Sequence, residues 1–197
     1  MDGSPAPHAS PGDGGASRGG GALDARGRAL LAGARLLALD VDGVLTDGTV
    51  TYFGDAEGQS FSVQDGQGLA WLVAAGVRLA WITGRDPVPA RRRAEELGVA
   101  EYHARCRDKA GALREIQERL EIPVEATLAM GDDVLDLGLA ARAAFFAAPA
   151  NARPEVRARA HLVTRASGGA GAVRELAELV LRAKERWQAI LDGFGVE

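Results

Sequence analysis

The stretch Leu36-Leu37-Ala38-Leu39-Asp40-Val41-Asp42-Gly43-Val44-Leu45-Thr46-Asp47 constrains the fold more than any other in the chain. An apolar run of strand length ends in an acidic turn. Such a run, set among helical patterns, reads as a strand buried on both faces of a parallel sheet. Asp40 then stands at the carboxyl end of the strand, and Asp42 two residues beyond it. Open α/β sheets bind their ligands at that end. Two carboxylates held there are costly unless a cation joins them. The expectation is a Mg²⁺ site in which Asp40 also serves as a nucleophile toward phosphate.

Composition limits the alternatives. The 197 residues suit one domain plus a tail, and 47% are hydrophobic, enough for a core. A net charge of -4 gives no basic footprint, so no nucleic-acid partner is expected. The one cysteine, Cys106, excludes an internal disulfide and reads as inert. No apolar run reaches membrane-spanning length, and residues 1–21 lack the apolar core of a signal peptide. The expectation is a soluble cytoplasmic protein. Residues 1–22, rich in Gly, Ala, Pro and Ser, read as a disordered tail, and 23–197 as a single domain.

After the acidic turn, Thr49–Phe53 and Gln59–Val63 alternate around Gly54–Gly58, which predicts a β-hairpin. Asp65 is expected to cap a helix over Gln67–Ala75. Strands are predicted at Val77–Ile82, Val99–Ala104, Thr127–Met130, Ala143–Ala147 and His161–Thr164. Between them lie helices beginning at Pro87, at Lys109 with Asp108 as N-cap, at Val134 and at Arg153, with a closing helix over Ala172–Leu191. Alternating strands and helices imply a Rossmann-like parallel α/β sheet with helices on both faces, a hairpin flap after the first strand and no cap domain.

Asp40/Asp42, Thr83, Lys109 and Asp132/Asp133 all fall just after strands or at a helix start, so one sheet edge can gather them. Carboxylates alone repel a phosphate dianion, and a divalent ion reverses that sign. Lys109 adds an ammonium at a helix N-terminus. Thr83 and the amides around Gly84 can hold phosphoryl oxygens. Asp40 is expected to attack phosphorus, and Asp42 to serve as acid, then as base. Asp40, the Asp42 carbonyl and Asp132 are expected to hold Mg²⁺. Asp133 assists through water, and Asp136 more weakly. Asp47 reads as a cap of the turn, Trp71 and Trp81 as core, and Trp187 as an interface residue. Arg174 and Glu175 can pair on the closing helix.

Asp40–Asp47, Ile82-Thr83-Gly84-Arg85, Lys109 and Gly131-Asp132-Asp133-Val134-Leu135-Asp136, taken together, resemble the four motifs of the haloacid dehalogenase superfamily of phosphatases. The intervals between them leave no room for a cap. Within the capless group, Asp40–Gly48, Phe61-Ser62-Val63-Gln64-Asp65-Gly66 and Gly168–Glu175 are most similar to the 3-deoxy-D-manno-octulosonate 8-phosphate phosphatase family. That resemblance implies hydrolysis of a 2-keto-3-deoxy sugar acid phosphate. It also implies a homotetramer whose hairpins and tails complete neighbouring sites, with Ser62, Val63, Gln64, Asp65, Gly66, Arg85 and Arg93 contacting substrate. Gln64 and Ala70 stand where the family usually carries arginines. Arg91–Glu95 and Ala70-Trp71 also resemble phosphatases of nine-carbon keto-sugar-acid 9-phosphates. Two other readings use similar residues: a phosphotransferase, and a receiver-type signalling domain. The latter lacks an acid two residues after the phosphorylated Asp, which this chain has in Asp42.

Overall fold

The computed structural model describes residues 23–195. The tail expected over residues 1–22 lies outside the described residues. The expected sheet forms. Its strands are β1 (Leu36–Leu39), β4 (Arg78–Ile82), β5 (Glu101–His103), β6 (Thr127–Met130), β7 (Phe145–Ala148) and β8 (Leu162–Val163). All pair in parallel, in the order β5-β4-β1-β6-β7-β8. The chain runs outward from β1 to β5, returns to β6 beside β1, and runs outward again. The order therefore reverses between β1 and β6, and a crevice opens at their carboxyl ends.

Alternation along each strand sends side chains to two cores. Leu37, Leu39, Leu79, Trp81, Leu128 and Met130 face one layer. That layer is built from α1 (Ala25–Ala32), α2 (Val63–Ala74), α3 (Val88–Glu96), α7 (Ala172–Ala183) and α8 (Trp187–Gly193). Leu36, Ala38, Ala80, Ile82 and Ala129 face the other. That one is built from α4 (Lys109–Leu120), α5 (Leu137–Ala140) and α6 (Pro154–Arg157). Leu36–Leu39 are all fully buried, as expected of a central parallel strand.

Several elements differ from expectation. The hairpin exists, but its second strand, β3, is Ala56–Gly58, paired with β2 (Thr51–Phe53). Gly54 at φ +62 makes a two-residue turn with Asp55, as in type II′ hairpins. Gln59–Phe61 form the return path rather than a strand. The N-cap of α2 is Ser62, whose Oγ accepts from the Asp65 amide at 3.2 Å, so the helix starts four residues early. The closing helix breaks at Glu185, φ +56, and α8 folds back so that Trp187 stands edge-on to Trp71. Trp187 is thus 9% exposed within its own chain, not a free interface residue. Arg174 pairs with Glu178, and Glu175 with Arg165, so the two do not pair with one another.

Candidate active site

Asp40 extends β1 by one residue, its amide donating to Met130 O at 3.1 Å. The chain then turns tightly: the amides of Leu45 and Thr46 both donate to Val41 O. Asp47, exposed just after this turn, accepts from the Thr49 amide at 2.8 Å, a local structural contact with the segment that follows. Gly43 sits at φ +88, and a Cβ there would lie 2.2 Å from Asp132 Oδ2. Glycine is needed at that point for both reasons. The turn is held from the far side by Gly168, where a Cβ would meet Gly43 O at 1.8 Å. The glycine run before α7 therefore serves close backbone approach. Asn151 ties the two loops, donating to Gly43 O at 3.0 Å and accepting from the Gly168 amide at 2.7 Å.

On the other side of the crevice, β6 runs into Gly131-Asp132-Asp133 and a 3₁₀ turn over Val134–Asp136. Lys109 is the first residue of α4, with Asp108 as N-cap. Its Nζ donates to Asp40 Oδ1 at 2.7 Å and to Asp136 Oδ1 at 2.5 Å. Asp136 Oδ2 accepts from the Asp132 and Asp133 amides at 2.9 and 3.1 Å. Both Asp136 oxygens are thereby occupied. Asp136 fixes the lysine and the loop, a larger part than the weak assistance expected of it. Asp133 is exposed and accepts from the Val134 amide, so its carboxylate caps the turn rather than joining the buried acids.

Oxygen atoms of Asp40, Asp132 and Asp136 lie within 4.8 Å of one another. Burial, then repulsion from Asp136, pushes the Asp40 carboxyl up to about 8. Burial, with Asp136 and Asp133 adding, raises Asp132 to about 7. For Lys109, burial acts to lower the pKa, but Asp40 and Asp136 outweigh it and hold the ammonium above its usual value. One lysine does not neutralise this cluster. Asp132 Oδ1 is buried and accepts from nothing among the described residues. An orphaned carboxylate oxygen beside a second raised carboxylate fits a hard divalent cation, which takes oxygen ligands.

Thr83 follows β4 and is 1% exposed; its Oγ1 accepts from the Arg85 amide at 3.1 Å, leaving the O–H to donate. Gly84 is exposed beside it. Arg85 bridges Asp42 Oδ1 at 3.3 Å and Glu57 of β3 at 2.8 Å, and so ties the flap to the acidic turn. Gln59 Nε2 reaches the same Asp42 oxygen at 2.6 Å. A cleft of about 570 Å³ opens between the flap and the loop after β4, lined by Tyr52, Glu57, Arg85, Asp86, Val88 and Arg105; it adjoins the acid cluster through Arg85, and Asp40, Asp42, Thr83, Lys109 and Asp132 do not line it.

The remaining expected residues lie elsewhere. Ser62 caps α2, while Val63 and Gln64 point to solvent. Asp65 is 1% exposed and accepts from the Gly171 and Arg174 amides at 3.2 and 2.7 Å. Its carboxylate is engaged by α7, not offered to a ligand in its own chain. Arg93 lies over Gly66, where a Cβ would sit 2.1 Å from its Nη2, and pairs with Glu96. Asn151 and Gln59 were missed. Asn151 sits in a Pro-Ala-Asn-Ala-Arg-Pro turn that reads only as a loop, and Gln59 sits in a run read as a strand.

A family profile for haloacid dehalogenase-like hydrolases matches residues 104–176. The chain is 38% identical to the 3-deoxy-D-manno-octulosonate 8-phosphate phosphatase of Yersinia pestis, over 77% of this chain and 82% of that one. It superposes on the Moraxella catarrhalis phosphatase of the same name, solved with magnesium ion, phosphate ion and KDO, with a TM-score of 0.83. Identity there is 37%, over 85% of this chain and 97% of that one. A cobalt-bound deoxy-D-mannose-octulosonate 8-phosphate phosphatase from Haemophilus influenzae gives 0.81 at 32% identity, covering 84% of this chain and 98% of that one.

Proposed function

The chain belongs to the haloacid dehalogenase-like hydrolases, in the family of the 3-deoxy-D-manno-octulosonate 8-phosphate phosphatases, and from that premise we propose that it hydrolyses this ester to the free sugar acid and phosphate. The observation that carries the reading is the convergence of Asp40, Asp132 and Lys109 at the point where the strand order reverses, with Asp132 Oδ1 left unpaired.

Asp40 and Asp132 would hold Mg²⁺ directly, Asp136 fixing both Lys109 and the loop. The Asp42 carbonyl completes the set assigned to the metal, and Asp133, its carboxylate capping the turn, is assigned a contact through water only. Bound there, Mg²⁺ offsets carboxylate charge and polarises the phosphoryl group. Asp40 forms the new P–O bond in line as the P–O bond to the sugar breaks, giving an aspartyl-phosphate. Asp42 protonates the leaving oxygen, then takes a proton from the water that attacks the intermediate. Lys109 keeps Asp40 oriented and adds positive charge beside the transferring group. The Thr83 hydroxyl and the Gly84 amide hold phosphoryl oxygens. Arg85 is the cation this chain's cleft assigns to the sugar acid; Arg93, over Gly66 and paired with Glu96, lies outside that cleft.

Ser62, Val63, Gln64 and Gly66 do not enter this chain's cleft. Val63 and Gln64 project outward, and we assign them to a neighbouring copy's site in a homotetramer. The chemistry lies, in our reading, in one domain over 23–197, working in the cytoplasm, and no helix among the described residues is long and apolar enough to cross a membrane.

The test is phosphate release with Mg²⁺ and with EDTA from the eight-carbon ester and from a nine-carbon keto-sugar-acid 9-phosphate. Release from the eight-carbon ester alone, abolished by EDTA, is expected. Faster release from the nine-carbon ester would transfer the assignment to that class.

A further inference from the structure

Gln59 leaves the flap directly after β3, and its side chain turns in toward the acidic turn. Nε2 donates to Asp42 Oδ1 at 2.6 Å, and Arg85 reaches that same oxygen at 3.3 Å. Among the described residues the hydrogen bonds on this carboxylate all fall on Oδ1. A carboxylate accepts only, so the amide must face it with its NH₂ end. The carbonyl end, Gln59 Oε1, is then buried and accepts from nothing among the described residues. Buried acceptors are rarely left in that state unless a partner arrives from outside the chain.

We propose that Gln59 is a two-ended positioning residue of the hydrolytic reaction. This rests on the assignment of Asp42 as acid and base. The N–H end, with Arg85, anchors Asp42 through Oδ1. Oδ2 stays free to give its proton to the leaving alcohol oxygen and to take one from the attacking water. The carbonyl end accepts a hydrogen bond from a hydroxyl of the ester's polyol chain. Gln59 itself exchanges no proton, and docking of the flap brings both ends into place.

The test uses esters that differ in their need for an acid. An alkyl phosphate releases a strongly basic oxygen, which must be protonated. p-Nitrophenyl phosphate releases a stable phenolate and needs little help. Gln59→Met keeps the bulk and removes both ends. With Mg²⁺ present the single-turnover rate of leaving-group release should fall at least ~10-fold on the sugar phosphate, since a placed acid contributes 10²-fold or more, and stay within ~3-fold on the aryl ester, the hydrolysis of the shared aspartyl-phosphate lying outside that rate. Gln59→Glu keeps an acceptor oxygen and loses the donor, so its kcat should fall with KM unchanged, whereas in Gln59→Met KM rises as well. Equal losses of that leaving-group-release rate on both esters, or an unchanged rate on the sugar phosphate, would overturn the proposal. Should Gln59→Met fail to fold, Gln59→Glu carries the same alkyl-to-aryl comparison. The substrate assignment fails separately, in the wild type: the comparison is then made on whichever alkyl phosphate the wild type does hydrolyse. A wild type active on the aryl ester alone would overturn both.

Discussion

Among the described residues Lys109 is the one cation inside the buried acid cluster, and its removal separates charge from geometry. Lys109→Met leaves Asp40 and Asp136 facing each other without a counter-charge. Breaking a buried pair in this way costs about 3–5 kcal/mol. Urea unfolding at pH 8 without metal should show a loss of that order, and a smaller one at low pH, where Asp40 takes up a proton. An equal loss at both pH values would contradict the electrostatic account. The same burial makes metal binding depend on pH. The folded chain holds the Asp40 and Asp132 carboxyls up to about 8 and about 7. Unfolded, they ionise near ~4. Between those limits the folded state carries more protons than the unfolded one. Their contribution to stability is therefore complete below the unfolded value and is lost as pH rises through the folded one. Divalent cations need the ionised form and work against that loss. The rise in Tm on adding Mg²⁺ should be small at about pH 5.5 and should grow toward pH 8. A rise that stays flat over this range would remove Asp40 and Asp132 as the ligands. These residues were legible because each follows an apolar strand, and strand ends in a parallel sheet share one edge. Asp136 was undervalued because nothing in Gly-Asp-Asp-Val-Leu-Asp says that a 3₁₀ turn swings the last carboxylate inward onto Lys109. Asp65 was misplaced for the converse reason. A helix-capping residue type near a motif looks like a site residue until its partner, α7, is seen more than a hundred positions away.

That clasp decides how α2 and α7 meet. Asp65 lies inside α2, yet its oxygens satisfy the first amides of α7, a helix N-terminus that no residue of its own caps. Gly68 gives α7 its close approach, since a Cβ there would stand 3.1 Å from Ala177 Cβ. Arg174 then lies over Trp71 at 4.4 Å. Asp65→Ala strands buried amides and removes a negative group from a helix start. It should cost about 1–3 kcal/mol, measured by urea unfolding. A neutral result would mean that the packing of α2 on α7 holds without the clasp. The parallel strands were readable at this scale because continuous apolar runs four to six residues long, bounded by Gly and acidic turns, admit few other readings. The hairpin's second strand was not. Gln59–Val63 alternates in polarity, but five residues cannot separate strand alternation from a helix approach. Ser62 resolved it as an N-cap. The break after α7 was equally hidden. Glu185 takes a left-handed conformation that a sequence reader expects of glycine, and the packing of Trp187 on Trp71 supplies the compensating contact.

For the whole molecule, the open question is what closes the site. One chain presents a cleft with no cap, and its flap carries Tyr52 and Phe53 at 70% and 68% exposure. Two adjacent aromatics on a two-stranded ribbon gain nothing from water, and such a ribbon is marginal alone. Val63, at the start of α2, is a further exposed apolar residue at 79%. Association that buries flap and α2 start against the next copy would cover these residues. It would also screen the cleft from solvent, strengthening the fields around Asp40. The expected assembly is the homotetramer. Tyr52→Ser combined with Phe53→Ser removes apolar area and keeps Glu57, Arg85 and Gln59 themselves; Phe53→Ser alone, which spares the cross-strand partner of Glu57, is the control. Light scattering should show the wild type at four chains and the double variant at lower mass. The double variant should keep its Mg²⁺-induced rise in Tm, because Asp40, Asp132 and Lys109 all come from one chain. Its KM should rise more than its kcat falls if, as proposed, the flap and a neighbouring copy act on the sugar while the acid cluster acts on the phosphate. A monomeric wild type with full activity would show instead that one chain closes its own site.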